Sequence, residues 1–376
     1  MTITYLDCAA TNPMRPAAIE AMLPYLREDY ANPSGSHRFA RRARRAIDES
    51  RDVVAAIVGC QPGEVVFTGG GTESDNMAVV GAVRRTGGAA VCTAVEHPAV
   101  LEVVELHGGV VVGVDHVGRV DLDELTAVLE ERGPEVAIVS VMAVNNEVGT
   151  INDIEAVARI VRRHAPHALL HSDAVQAACW LDLRDVTRHV DLMSLSAHKF
   201  GGPKGVGVLV ERGGARVDPL IVGGGQERQR RSGTQNTGGI VATAVALELT
   251  DAERVAEAVR LTPIRDRLVG RLTTEVDDCI ETVPAEYKVA GSAHVCFDGL
   301  ESEALLFLLD EDGICASAAS SCASGAMDPS HVLAAMGVPR ERAVGALRLT
   351  LGHETSDDHI DRAADVIVAA VAKLRR

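Results

Sequence analysis

Leu192-Met-Ser-Leu-Ser196-Ala-His198-Lys199-Phe-Gly-Gly-Pro-Lys204-Gly-Val206-Gly-Val-Leu-Val210 is the stretch on which the reading of this chain turns. Leu192–Ser196 and Val206–Val210 are short runs of strand formers, and a Gly/Pro-rich turn separates them. A lysine at a strand end can form a Schiff base if its amine is desolvated or lies beside another cation. Its ordinary pKa of ~10.4 otherwise keeps it protonated at neutral pH. A loop lysine is by default solvated, so Lys199 takes its meaning from the segments around it.

Upstream, the pattern alternates between helix and strand. His37 to Val58 reads as a helix, with Phe39, Ala43, Ile47, Val54 and Ile57 or Val58 near helical spacing. Val65–Thr68 reads as a strand, followed by Gly69-Gly70-Gly71 and a helix from Thr72. Further strands are expected at Ala90–Thr93, Val110–Val114, Val136–Val144 and Ala168–Ser172. This order predicts right-handed βαβ units in a mainly parallel sheet, with a ligand site at the carboxyl ends of its strands. Near residue 240 the pattern changes, and Val241–Val259 and Ile264–Val276 read as two helices. The expected organisation is α/β, with a large domain over 16–245 and a smaller α/β domain made of 1–15 and 246–376.

Composition narrows the function classes. At 376 residues the chain suits one large and one smaller domain, and with 3% aromatics its core must rest on Ala, Val, Leu and Ile. A net charge of −16 argues against a general nucleic-acid binder, and the Arg38–Arg45 run reads as the wet face of a helix. Nothing reads as a signal peptide or a membrane span, so a cytoplasmic protein is expected. Cysteines at 8, 60, 92, 179, 279, 296, 315 and 322 are scattered, without CxxC or zinc-type pairing, so reduced thiols and no metal site are expected.

Other polar segments also close predicted strands. Gly69-Gly70-Gly71-Thr72-Glu73-Ser74-Asp75-Asn76 joins a strand to a helix, and such a turn presents unpaired N–H groups to an anion. It lacks both the GK[ST] of a Walker loop and the GxGxxG order of a dinucleotide site, so a single phosphate fits it better. In His171-Ser172-Asp173-Ala-Val-Gln176, the Asp is able to pair with a pyridinium nitrogen and Gln176 to donate to a phenolic oxygen, although a helix cap is the plainer reading. Glu96-His97-Pro98 and Val144-Asn145-Asn146-Glu147-Val148-Gly149 also end strands, and neither decides anything alone.

Together with Tyr5-Leu6-Asp7-Cys8-Ala9-Ala10-Thr11, Arg231-Ser232-Gly233-Thr234 and Arg348-Leu-Thr-Leu-Gly352, these segments resemble the class V aminotransferase group of fold-type I pyridoxal-phosphate (PLP) enzymes. The resemblance covers nearly the whole chain and is specifically to NifS/IscS-type cysteine desulfurases. It implies PLP carried by Lys199, His97 stacked on its ring, Asp173 on the ring nitrogen and Gln176 on the ring oxygen. It also implies Asn146 beside ring and substrate, and Gly71, Thr72, Ser196 and His198 on the phosphate. Thr234 would reach the phosphate of the other subunit in a homodimer, and Arg348 would take the substrate carboxylate, a task suited to a planar fork of donors.

Gly313-Ile-Cys315-Ala-Ser-Ala-Ala-Ser-Ser-Cys322-Ala-Ser-Gly-Ala-Met-Asp-Pro-Ser330 is a run of small residues suited to a mobile loop. Alignment with the family through Asp328-Pro329-Ser330 puts Cys322 at the nucleophile position, while Cys315 reads as a packing residue. The implied catalytic residues are thus Lys199, His97 and Cys322, acting on L-cysteine and passing sulfur to a protein acceptor. That acceptor is expected to be an iron–sulfur scaffold or a thiolation carrier, without direct nucleic-acid or membrane contact. The chain departs from its relatives at Cys8, where they carry His, Asn or Tyr, and at Ala-Ser-Ser-Cys322, where many carry Gly-Ser-Ala-Cys. From its end at Arg376, the resemblance leads to the expectation that it lacks the longer tail by which housekeeping relatives dock their scaffold. Rival expectations are a selenocysteine lyase or another class V enzyme, and a non-catalytic adaptor that keeps the fold.

Overall fold

A computed structural model describes residues 3–318 and 330–376. In chain order the strands are β1 Thr4–Tyr5, β2 Val65–Thr68, β3 Ala89–Thr93, β4 Val110–Val112, β5 Val136–Ser140, β6 Leu169–Asp173, β7 Leu192–Ser196, β8 Gly207–Glu211, β9 Cys279–Glu281, β10 Ser292–Phe297, β11 Ile314–Cys315 and β12 Ala346–Thr350. The helices are α1 Pro16–Arg27, α2 Arg38–Val58, α3 Gly71–Thr86, α4 Pro98–Leu106, α5 Leu122–Arg132, α6 Ile154–His164, α7 Leu183–Thr187, α8 Thr237–Glu275, α9 Ser302–Glu311, α10 His331–Ala335, α11 Arg340–Ala343 and α12 Asp357–Leu374.

Seven strands form one sheet in the order β2-β8-β7-β6-β5-β3-β4. Neighbours from β7 to β4 pair in parallel, whereas β8 runs antiparallel to both β7 and β2. The antiparallel β8 follows from its connection, because ten residues of turn carry the chain back beside β7 without a crossover helix. Strands β2, β5, β7 and β8 are buried at every position, as a sheet covered on both faces requires. One face packs on α2, α6 and the first half of α8, the other on α3 and α4. Since β2 is parallel to β7, the carboxyl ends of β2, β3, β5, β6 and β7 all open on one edge. That edge carries the polar segments.

The rest of the chain builds a three-stranded antiparallel sheet, β12-β10-β9, and a two-stranded parallel one, β1-β11. They pack against the second half of α8, α9 and α12 around Phe297, Leu309, Leu347 and Ile367. The two helices expected at Val241–Val259 and Ile264–Val276 are one 39-residue helix that continues through Pro263. Proline removes one N–H from the ladder, and the carbonyl left without it belongs to Val259, on the exposed side of the helix. Packing along both halves offsets that loss. Ala242, Ala246 and Leu247 face the larger core and Leu261, Leu268 and Leu272 the smaller one.

The candidate active site at the strand ends

A cavity of about 320 Å³ opens at this edge. Gly71 and Thr72 come to it from the start of α3, His97 from beyond β3, and Asn146 from beyond β5. Asp173 and Gln176 follow from β6, and Ser196, His198 and Lys199 from β7. Arg348 of β12 and the backbone at Ala9 and Ala10 close it from the other side. The fold thus gathers nine of the ten expected cofactor residues in one place. Thr234 is not among them; it is exposed on this chain.

Lys199 Nζ donates to the carbonyls of Ala9 (2.5 Å) and Ala10 (2.9 Å). Burial pulls its pKa down to about 8, Arg348 adds to the fall, and Asp173 and Asp7 oppose it. Asp173 Oδ1 accepts from the Val175 N–H at 2.8 Å, and among the described residues its carboxylate has no other hydrogen bond. Burial raises its pKa, against that N–H, His97 and Lys199. A buried carboxylate with an open oxygen calls for a proton-bearing partner in the cavity. His97 caps α4, its Nδ1 accepting from the Ala99 N–H at 3.1 Å. Burial lowers its pKa, so the ring is neutral and its proton sits on Nε2.

At the other end of the cavity, α3 begins at Gly71 with its N–H groups aimed inward. A Cβ on Gly71 would lie 2.8 Å from Val175 Cγ2, and one on Gly207 would lie 2.5 Å from the Gly70 carbonyl carbon. Only glycine lets turn, strand and helix start approach this closely. His198 contacts Thr11 Oγ1 at 3.2 Å and is pushed down to about 4 by burial and by Lys199 and Lys204. It is therefore a neutral donor beside Ser196. Arg231 is bound to Glu73 of the first turn of α3 at 2.8 Å, which fixes the loop bearing Thr234 near this helix start.

Arg348 is buried, donating through Nη1 to the Asn146 carbonyl (3.0 Å) and through Nη2 to Asp7 Oδ1 (2.7 Å). Gln176, expected to donate to a ring oxygen, spends one amide hydrogen on the Ala9 carbonyl at 2.8 Å, and the other has no partner among the described residues. Cys322 lies outside the described residues. Cys315 is half-buried in β11, its thiol pushed up by burial and by Asp310 and Asp7. The seven described cysteines are free, and no metal-binding cluster of His, Cys, Asp or Glu occurs among the described residues.

Sequence reasoning passed over several buried groups. Asp75, buried at the wall of the same cavity, is raised well above the carboxylate range by burial and by the Asp173 charge. It stands 3.7 Å from His171, whose ring bridges Ser140 and Ser194 and is held neutral by burial. That contact is geometrically an ion pair, but both partners are held in their neutral forms, so it is a contact between neutral groups. Glu96, which precedes His97 and is pushed up to about 8 by burial, accepts from Thr93 Oγ1 and the Met142 N–H. Both carboxylates stand inside the quoted motifs, but only the fold shows that they are buried.

One cavity thus holds the start of α3, a buried carboxylate and an amine of lowered pKa. Residues 4–363 match the model of a family described as aminotransferase class-V. The chain belongs to the class V aminotransferase family. Over its whole length it is 43% identical to an IscS-like cysteine desulfurase of Mycobacterium tuberculosis, of which 98% is covered. It is 41% identical to a cysteine desulfurase of Gluconacetobacter diazotrophicus, again over the whole chain and 95% of that protein. A solved NifS-like protein superposes with a TM-score of 0.92 at 35% identity, covering 99% of this chain and all of the other. Its α/β architecture is thus that of the NifS-like members of the class V family.

Proposed function

We propose that this protein is a cysteine desulfurase that uses PLP to convert L-cysteine to L-alanine and leaves the sulfur as a persulfide on Cys322. The observation that carries this reading is the buried Lys199 amine, lowered to about 8, in one cavity with Asp173 and the start of α3. The residues present fit the cofactor. Lys199 would carry it, Gly71, Thr72, Ser196 and His198 would hold its phosphate, and Asp173 would keep its ring nitrogen protonated. His97, Asn146 and Gln176 would flank the ring. Bound there, PLP supplies an electron sink for the substrate's α-carbon.

The chain's own residues do the rest. Arg348 presents its guanidinium edge to the substrate carboxylate, with Asn146 beside it. Released when the substrate's own amine takes its place, the Lys199 amine, lowered to about 8 and so part-neutral near pH 7, takes the α-proton. His97 keeps its free hydrogen on Nε2, facing the cavity, because Ala99 engages Nδ1. The Cys322 thiolate attacks the substrate sulfur, so that an S–S bond forms as the C–S bond breaks. The electron pair stays with the carbon, which is protonated to give alanine. Atoms balance as L-cysteine plus thiol giving L-alanine plus persulfide.

We further take the protein to be a homodimer in which the exposed Thr234 completes the partner's phosphate cradle, and to pass sulfur to an acceptor protein in the cytoplasm. Among the described residues no helix is long and apolar enough to cross a membrane. The division into 16–245 and 1–15 plus 246–376 is taken to separate the sheet that holds the cofactor from the part that supplies Arg348 and Cys322. The test is alanine release with mass-spectrometric mapping of the persulfide. Wild type should carry it on Cys322, and Cys322→Ser should bind cysteine yet release almost no alanine. Persulfide confined to Cys315 would overturn the assignment, and turnover of selenocysteine alone would move the reading to a selenocysteine lyase.

A further inference from the structure

Behind Arg348 lies a pair of buried groups to which neither the proposed chemistry nor the motifs give a task. Glu147 and His294 are 2% and 0% exposed. Among the described residues Glu147 Oε1 and His294 Nε2 each have no hydrogen-bond partner, and they face each other at 3.9 Å. The other ring nitrogen is fixed, with His294 Nδ1 2.7 Å from Thr282 Oγ1. Two buried polar atoms left unpaired are each destabilising, whereas an approach of about an ångström makes one hydrogen bond that satisfies both.

Both groups adjoin Arg348. His294 is its cross-strand partner in the β10–β12 ladder, and Glu147 directly follows Asn146, whose carbonyl takes the Arg348 Nη1 hydrogen. We propose that Glu147 and His294 share one proton, Glu147 Oε1–H donating to His294 Nε2, and that this neutral pair positions Arg348 and leaves its charge to the substrate's carboxylate. The proposal rests on the reading of Arg348 as the carboxylate-binding group. It makes Glu147 and His294 positioning residues, since neither lines the cavity that would hold substrate.

The electrostatics agree with a neutral pair. Burial pushes Glu147 up to about 7, against the Ser330 hydroxyl and Arg348, and pushes His294 down to about 3, with Arg348 and Lys288 adding to the fall. The groups facing the pair are Arg348 from β12, Lys288 ahead of β10 with its partner Glu281 on β9, and Cys296 on β10. When pH rises through about 7 the Glu147 proton leaves. A second carboxylate besides Asp7 then draws on the Arg348 guanidinium, and the substrate's carboxylate meets a partly neutralised partner.

The test uses holoenzyme, with L-alanine as the probe ligand, titrated between about pH 6 and pH 9 in wild type and Glu147→Gln. Glutamine keeps a donor for His294 but cannot ionise. The two proteins should bind alike at the acid end. At the alkaline end wild type should bind about fivefold more weakly, the low end of coupling between sites, with the midpoint near 7. Infrared difference spectra should show a protonated carboxyl band, absent in Glu147→Gln and shifted in His294→Ala. Parallel pH profiles, or a uniform loss of kcat and affinity at every pH, would overturn the proposal, as would a missing carboxyl band. Arg348→Lys tests the underlying reading separately. If it leaves L-alanine binding unchanged, Arg348 is not the carboxylate site, while the infrared band still reports the shared proton.

Discussion

Arg348 and Asp7 form a 2.7 Å ion pair, with side chains 8% and 21% exposed. A substrate carboxylate that engages the same guanidinium therefore arrives beside a resident anion. Two carboxylates on one guanidinium lie about 5 Å apart, and at an effective dielectric constant of ~20 their repulsion is about 3 kcal/mol. Solvent at the part-exposed Asp7 screens this to about 1–2 kcal/mol, or about 5- to 30-fold in affinity. Asp7→Asn keeps an oxygen for the Arg348 Nη2 hydrogen and removes the charge. KM for L-cysteine and the dissociation constant of L-alanine should both fall by that factor, with kcat little changed, in steady-state kinetics and spectral titration at fixed ionic strength. Salt should narrow the gap between wild type and variant. A rise in KM would refute the reasoning, because it would mean that Asp7 serves to aim Arg348 rather than to occupy it.

Three more outcomes follow from the same geometry. PLP capture by the apo protein needs the unprotonated Lys199 amine, whose folded pKa lies below its ordinary value. The capture rate should therefore rise with pH up to about 8 and level off above, and should vanish in Lys199→Ala, as borohydride trapping would read. Glu227 binds Arg51 through two bonds of 2.7 and 2.8 Å and takes the Phe67 N–H, all of it buried. Glu227→Gln strands the Arg51 charge and should cost about 3 kcal/mol or more in denaturant unfolding. Finally, mixing inactive Lys199→Ala chains with inactive Thr234→Ala chains should restore activity if sites are shared, since one site of the mixed dimer then carries neither lesion. No recovery despite verified subunit exchange would count against Thr234 acting across the interface.

The sequence by itself determined the alternation of strands and helices, the polar segments at strand ends, and through them the family. These are local matters, set by side-chain period and turn chemistry within a few residues. Lys199, Asp173, His97 and the glycine turn were legible because a parallel sheet brings successive strand ends to one edge whatever the details of packing. The stretches Val241–Val259 and Ile264–Val276, read separately as helical, are one helix, because local spacing does not show what packs on each half. Two cores, one on each half of α8, hold that helix together. Partners across the fold were decided by tertiary structure alone. Asp7 meets Arg348 across 341 residues, strand register sets His294 opposite Arg348, and Glu147 stands 3.9 Å from His294. In the sequence Asp7, Glu147 and His294 are ordinary polar letters, and only the family resemblance singles out Arg348. Burial is what makes each consequential, because a charge or an unpaired polar atom out of water has to be answered by whichever group the packing places beside it.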